Sequence, residues 1–470
     1  MMVALVGEPT STSARCPAVA VSTNTLIAWA VLAFGGVYEW AYRPAFVAAA
    51  AIGIVDLSTS RLCPDLRRLF IGLAAVVGAI AVQIVPIPRS VLSTVSPKLN
   101  PLLQHFSLAY AANAARWHPL SLQPDLTLTS LLALVSLTTL LAGLCAALTT
   151  QAAASVATFL SVLGVLVTLF GIVQKATFNG RLYWFWVTEG TPWSSFGPFV
   201  NHNHCAGFLV MAAALALGQL RVQAHVANRY RLSSRFSARW LLSENVSRLV
   251  LAAFSVAVIA LGVVWTQSRS GLLALLMVFG TFSWMVRGHT RTRAAWFALA
   301  TFVVLAAVSW RGVDTVVGSF ADPRTPTSRL LAWRDTVSVA RDFPAAGTGL
   351  NTFGASMLFY QRANLETHLA EAHSDYLQLA AEGGVLVGLP VCAVLLIVAR
   401  TISQRRQQDR STGDWKTASL RDGAIAGLFG IAVQEIAEFS LQMPGNALVF
   451  TVLLAIALFP PNRTARAAAH

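Results

Sequence analysis

The chain has 470 residues, of which 56% are hydrophobic and only 11% charged, with a formal net charge of +14. A soluble domain carries about 25% charged residues, and here apolar runs of about 17–25 residues, enough to cross a bilayer as a helix, recur from end to end. Composition therefore excludes a soluble multidomain protein and predicts an all-α polytopic membrane protein. It also assigns the basic excess to loops at a membrane surface rather than to a nucleic-acid interface.

The apolar runs predict about twelve transmembrane helices, at 22–39, 43–58, 69–87, 128–147, 155–175, 203–220, 248–266, 271–286, 294–310, 383–400, 423–441 and 446–460. The first lacks a basic start and a small-residue cleavage site, so it reads as a retained span rather than a signal peptide. Arginine clusters lie at 61–68, 221–248, 287–293 and 400–421. With the N-terminus in the cytoplasm, all four fall on the inner side, as the positive-inside rule requires. Three polar segments, 88–127, 176–202 and 311–383, then face outward. The expected organisation is residues 1–310 as helices one to nine with two shorter outer loops, 311–383 as one long, partly helical outer loop, and 384–470 as three more helices and a cytoplasmic tail. Cys16, Cys63, Cys145, Cys205 and Cys392 show neither disulfide nor zinc spacing.

Candidate chemistry gathers at the outer side. Tyr183, Trp184, Phe185, Trp186 and Trp193 in 176–202 suit an interfacial aromatic belt or a surface on which sugar rings stack. Asn201-His202-Asn203-His204 opens the sixth apolar run and can cap a helix or line a cavity. His202 and His204 point to different helix faces and suit a shared metal poorly. Thr266-Gln267-Ser268-Arg269-Ser270-Gly271 puts an arginine at the interface between two apolar runs, where a cation is costly and marks function. A guanidinium grips phosphate through a bidentate fork, and Ser268 and Ser270 add donors.

The long loop holds Arg311, Arg324, Arg329, Arg334, Arg341 and Arg362. Residues 328–341 read as an amphipathic helix with Leu330, Trp333 and Val337 on its apolar face, ended by Phe343-Pro344. Gly347-Thr348-Gly349 is a permissive turn and lacks the Lys-Ser/Thr of a nucleotide phosphate loop. His373, at the entry of the next helix, is the candidate for proton chemistry, with Tyr376 beside it. Glu366, His368, Glu371 and His373 do not have the spacing of a helical zinc motif. Glu435 and Glu438 fall inside an apolar run, where carboxylates are functional or paired, and support an alternative: a polysaccharide transporter or flippase.

Four strings together resemble the O-antigen ligase and O-antigen polymerase family of bacterial membrane glycosyltransferases. They are 199–207 (Phe199-Val200-Asn201-His202-Asn203-His204, Ala206-Gly207), 266–271, Arg329 with Trp333, Pro344 and Gly347-Thr348-Gly349, and Ala372-His373-Ser374-Asp375-Tyr376-Leu377-Gln378 with Glu382-Gly383-Gly384. The ending 438–447 is similar to a subgroup. The resemblance implies an all-helical, GT-C-like fold in the bacterial cytoplasmic membrane with its active site facing outward. It implies transfer of a glycan from undecaprenyl diphosphate to an acceptor hydroxyl, without metal or cofactor. Arg269 and Arg329 match the arginines that hold the diphosphate, and His373 the histidine that orients or deprotonates the acceptor. Ser374 departs from the Asn often found there. A lipid A core, a growing polysaccharide and a protein side chain stay open as acceptors, and with them ligase, polymerase and oligosaccharyltransferase. The bottom-up chemistry agrees: the leaving diphosphate needs fixed cations, the acceptor hydroxyl needs a base, and direct displacement inverts the sugar carbon.

Overall fold

A computed structural model describes residues 11–112, 116–188, 195–233, 243–286, 324–362, 365 and 368–460. The expected span at 294–310, Arg311, Trp193 and Glu366 lie outside the described residues. The helices are α1 (Ser11–Leu32), α2 (Glu39–Thr59), α3 (Arg67–Ile84), α4 (Arg89–Val95), α5 (Leu99–Phe106), α6 (Leu108–Ala111), α7 (Pro124–Ala147), α8 (Thr150–Ala176), α9 (His202–Ser233), α10 (Glu244–Thr266) and α11 (Arg269–Met285), followed by α12 (Arg324–Asp342), α13 (Phe353–Tyr360), α14 (Asp375–Thr412), α15 (Trp415–Gln434) and α16 (Pro444–Leu458). Two short strands, β1 (Ile87–Pro88) and β2 (Trp117–His118), pair antiparallel. Every expected apolar run among the described residues overlaps a helix.

Among the described residues seven helical segments are long and apolar enough to cross a membrane: Glu39–Thr59, Pro64–Ile84, Pro124–Ala147, Thr150–Ala176, His202–Arg229, Glu244–Thr266 and Asp375–Thr412. Pro17–Leu32, Arg269–Met285 and Pro444–Leu458 are apolar but shorter. At 1.5 Å per residue, the 15 residues of α16 reach only about 22 Å, short of the roughly 30 Å of a hydrocarbon core. Eleven of the 15 residues of α16 are buried and none is exposed, so other helices cover most of it.

The bundle is organised around α9, which packs against α8, α10, α11, α15 and α16. Small residues let the backbones meet, as is usual between membrane helices. A Cβ on Gly423 of α15 would stand 2.6 Å from the Ala214 carbonyl oxygen of α9, and a Cβ on Gly143 of α7 would stand 2.6 Å from Cα of Gly53 in α2. Either methyl would drive its helix pair apart.

Two of the three segments expected outside are one structure. Leu92, Leu99, Leu103, Tyr110, Leu120 and Leu122 from the 88–122 stretch form a single core with Val339, Phe343, Ala346, Phe353, Met357 and Ala372. This cap is stitched together by backbone hydrogen bonds, Leu122 N–H to the Thr348 carbonyl at 2.8 Å among them.

In the helix read over 328–341, Leu330 is exposed and Trp333 and Val337 are half-buried, while Ala332, Asp335, Thr336 and Val339 face inward. Asp335 is satisfied there by the backbone N–H of Arg362 at 3.0 Å. One expectation is corrected. The expected span 423–441 ends at Gln434. The Glu435 carboxylate accepts the Ser440 N–H at 2.7 Å, and the backbone carbonyls of Glu435 and Glu438 both receive the Asp375 N–H at 3.2 Å. These bonds replace helical ones, and both glutamates sit in a turn between α15 and α16.

Candidate active site

The site forms where α9, α11, α12 and α14 begin or pass beside that turn. Gln267, in a left-handed conformation at φ 62°, ends α10. Ser268 caps α11, its hydroxyl accepting the Gly271 N–H at 3.1 Å. Arg269 is therefore the first residue of α11, half-buried, at the positive end of a helix dipole. A Cβ on Gly271 would lie 2.6 Å from Ala206 Cβ, so this helix start is held tightly against the start of α9.

Glu438 gathers residues that the sequence scatters. Arg329 Nη2 donates to its Oε1 at 2.5 Å, and the Ser270 hydroxyl reaches the same oxygen at 3.4 Å. Ser268 and Ser270 hydroxyls lie 3.1 Å apart, and the Asn203 side chain also bonds this carboxylate. Glu438 is 1% exposed and its Oε2 has no hydrogen-bond partner among the described residues.

His373 stands on the other side of the turn. Its backbone is left-handed at φ 51°, a conformation that costs a non-glycine residue roughly 1–3 kcal/mol and persists only where the surroundings impose it. The surroundings here are the Trp333 indole N–H, which donates to the His373 carbonyl at 3.4 Å, and the two hydrogen bonds that tie Asp375 to the 435–438 turn. The imidazole packs edge-on against Phe439 at 5.2 Å, and His204 meets the same ring at 4.7 Å. Burial, and then the charge of Arg329, lower the His373 pKa from 6.5 to about 4. The ring is neutral at pH 7, and its buried Nδ1 has no hydrogen-bond partner among the described residues. It can therefore receive a hydroxyl proton or hold a hydroxyl in place.

The glycines serve the scaffold. Gly347 is left-handed at φ 66°, and a Cβ there would fall 2.1 Å from the Glu382 carbonyl oxygen. The Gly347-Thr348-Gly349 turn is thereby laid against the break in α14 at Gly384. Gln83 of α3 clamps both, donating to the Ala346 and Glu382 carbonyls at 2.7 and 2.8 Å. Beyond Asp375 a cleft of about 480 Å³ opens between α2, α7 and α14. Leu134, Leu137 and Phe46 supply apolar walls; Glu371, Asp375 and Gln442 supply polar ones. Burial raises Glu371 from 4.5 to about 7 against a hydrogen bond from Gln378.

Of the residues picked out by sequence, Arg329, Asn203 and Ser270 converge on Glu438, Ser268 joins them through the Ser270 hydroxyl, Arg269 is flanked by the two serines, and His373 adjoins Arg329. Asn201 acts as a cap, accepting the Asn203 N–H at 2.8 Å. His202 is half-buried beside it. Tyr376 turns away: its hydroxyl donates to the Ala432 carbonyl at 2.7 Å and its ring is exposed. The aromatic segment also works inward in part, since Tyr183 donates to the Leu32 carbonyl and Trp186 to the Tyr38 hydroxyl; Trp184 and Phe185 stay exposed. His204 Nε2 is buried with no hydrogen-bond partner among the described residues. Sequence reasoning left His204 among the groups that cap a helix or line a cavity and gave Phe439 no role. It placed Glu438 in a rival function, although a carboxylate next to a helix end is a signal for an arginine partner. Among the described residues no group of three or more His, Cys, Asp and Glu side chains is placed to hold a metal ion.

No curated protein matches the chain. Residues 254–392 match the family model for O-antigen ligase. The matched stretch runs from α10 through Ser268, Arg269, Arg329 and His373 into α14, and over it the chain is similar to the O-antigen ligase family, as its motifs are.

Proposed function

We propose that this protein is a glycosyltransferase that moves a glycan from undecaprenyl diphosphate to an acceptor hydroxyl at the outer face of the bacterial cytoplasmic membrane. The observation that carries this reading is the convergence of Arg329 and the Ser268-Arg269-Ser270 helix start on one side of the 435–439 turn, with a neutral, buried His373 on the other. Arg269 and Arg329 hold the diphosphate and stabilise the charge that grows on it. The acceptor oxygen attacks the anomeric carbon while its proton passes to His373. The bond from that carbon to the phosphate oxygen breaks, and the electron pair leaves with undecaprenyl diphosphate. A single displacement of this kind inverts the carbon, and neither metal nor cofactor takes part in it.

In this reading residues 311–383 are the extracytoplasmic catalytic loop between two transmembrane sets, residues 1–310 and 384–470, with about twelve spans in a GT-C-like arrangement. The cleft beside Asp375 supplies carboxylates and amides for the hydroxyls of a glycan, lipid or protein acceptor. The position of Glu435 and Glu438 argues against the transporter alternative: they stand in a turn against Arg329 and Asp375, not along a spanning helix. The test is purified protein in detergent with an undecaprenyl-diphosphate-linked glycan and candidate acceptors. Acceptor-dependent release of undecaprenyl diphosphate is expected. Intact donor with every acceptor class, beside a folded protein, would refute the reading.

A further inference from the structure

An anion site that must seize a diphosphate would be expected to hold only cations and neutral donors. This one contains a carboxylate. Glu438 Oε1 takes an Arg329 N–H at 2.5 Å and the Ser270 hydroxyl at 3.4 Å, and the Asn203 side chain bonds the same group. These are the donors that a phosphate oxygen would use. The contact with Arg329 is through a single nitrogen, so Glu438 does not satisfy the guanidinium fork in the bidentate way that a structural pair does. Glu438 Oε2 is buried and unpartnered, which is costly for a carboxylate oxygen.

We propose that Glu438 is a competing anion built into the diphosphate site, a positioning residue that occupies Arg329 and Ser270 between turnovers and returns to them to expel the spent undecaprenyl diphosphate. The inference rests on the reading that Arg329 binds the donor's diphosphate. The physical need is plain. Transfer leaves the product with more charge on its diphosphate than the donor had, so the arginines that stabilise the transition state also grip the product. Product release limits many enzymes, and a carboxylate tethered beside the arginine offers a replacement partner at high effective concentration. It also spares Arg329 from standing as an uncompensated charge when the site is empty.

Full-length protein in nanodiscs, titrated with undecaprenyl diphosphate, tests this. Removing a like charge from an anion site should tighten binding, so Glu438→Gln is expected to bind undecaprenyl diphosphate about tenfold more tightly than wild type. In the transfer assay the same variant should show kcat and KM both lowered, with kcat/KM at or above the wild-type value, and stronger inhibition by added undecaprenyl diphosphate. Glu438→Asp, which keeps the charge but draws it back by one methylene, should shift in the same direction by less, and serves if the amide variant does not accumulate. Binding by either folded variant that equals or falls below wild type overturns the proposal. Wild type and Arg329→Ala separate the two readings. Loss of binding in Arg329→Ala with no gain in the Glu438 variants leaves the donor site standing and removes the role of Glu438. Absence of binding by wild type removes both.

Discussion

Two arginine–carboxylate pairs, at opposite ends of the bundle, use the same chemistry to different ends. Arg421 is 0% exposed, and all three guanidinium nitrogens are engaged. Nε bonds Asp409 at 2.7 Å, and Nη1 and Nη2 reach the carbonyls of Ile456, Ala457 and Phe459 at the end of α16. Arg405 joins it on the Leu458 carbonyl at 3.0 Å. These cations close the negative end of a helix dipole and leave no guanidinium nitrogen of Arg421 to spare. Arg329 keeps 23% of its side chain exposed, makes one charged contact, and faces a carboxylate with an open oxygen. Saturated pairs lock a fold. A pair with valence left over, beside a strained histidine, has the form of a site.

The largest effect should come from the saturated end. Arg421→Ala leaves Asp409 buried without its partner, which costs about 3–5 kcal/mol in comparable pairs. We expect little folded protein in the membrane, and accumulation at wild-type level with an unchanged melting temperature would erase the distinction between the ends. Arg329→Ala should accumulate normally, because Ser270 and Asn203 still donate to Glu438, yet lose transfer. Lysine should rescue poorly, having no fork. Loss of the protein itself would make this pair structural too.

His373→Ala comes next. Losing a general base slows transfer by about 10²–10⁴-fold, with binding of the lipid-linked donor close to wild type. Near-normal transfer would leave the left-handed histidine without a chemical role. The pH profile then tests its setting. A pKa lowered to about 4 keeps the imidazole neutral above that value, so the acid limb of kcat/KM should lie near about 4, with activity lost as pH falls through it. A limb at 6.5 would show the ring to be solvated. The smallest effect belongs to His368→Ala, an exposed imidazole five residues away; a loss there as large as that of His373→Ala would mean that the whole loop, rather than one ring, carries the activity.

Much of this was legible because it is local. A run of apolar residues long enough to span favours a helix wherever it lies, and each such run among the described residues overlaps one. Ser268-Arg269-Ser270 shows itself as an arginine between two apolar runs. The sequence by itself therefore determined the helical class, the positions of most helices, and Arg269, Arg329 and His373 as the groups to watch. Only the tertiary structure decided what those groups meet. Glu438 lies 109 residues from Arg329, and nothing in the periodicity of either segment pairs them. His204 seemed to point away from its neighbour, and reaches His373 only because both rings pack on Phe439. Leu330, Trp333 and Val337 mark an apolar face, yet Ala332, Thr336 and Val339 are the residues buried inside the protein, since close packing of two surfaces selects side chains that fit rather than those that are most apolar. Local rules fix what a segment can be. Which of its faces is used, and which charge answers which, follows from contacts between segments far apart in the chain.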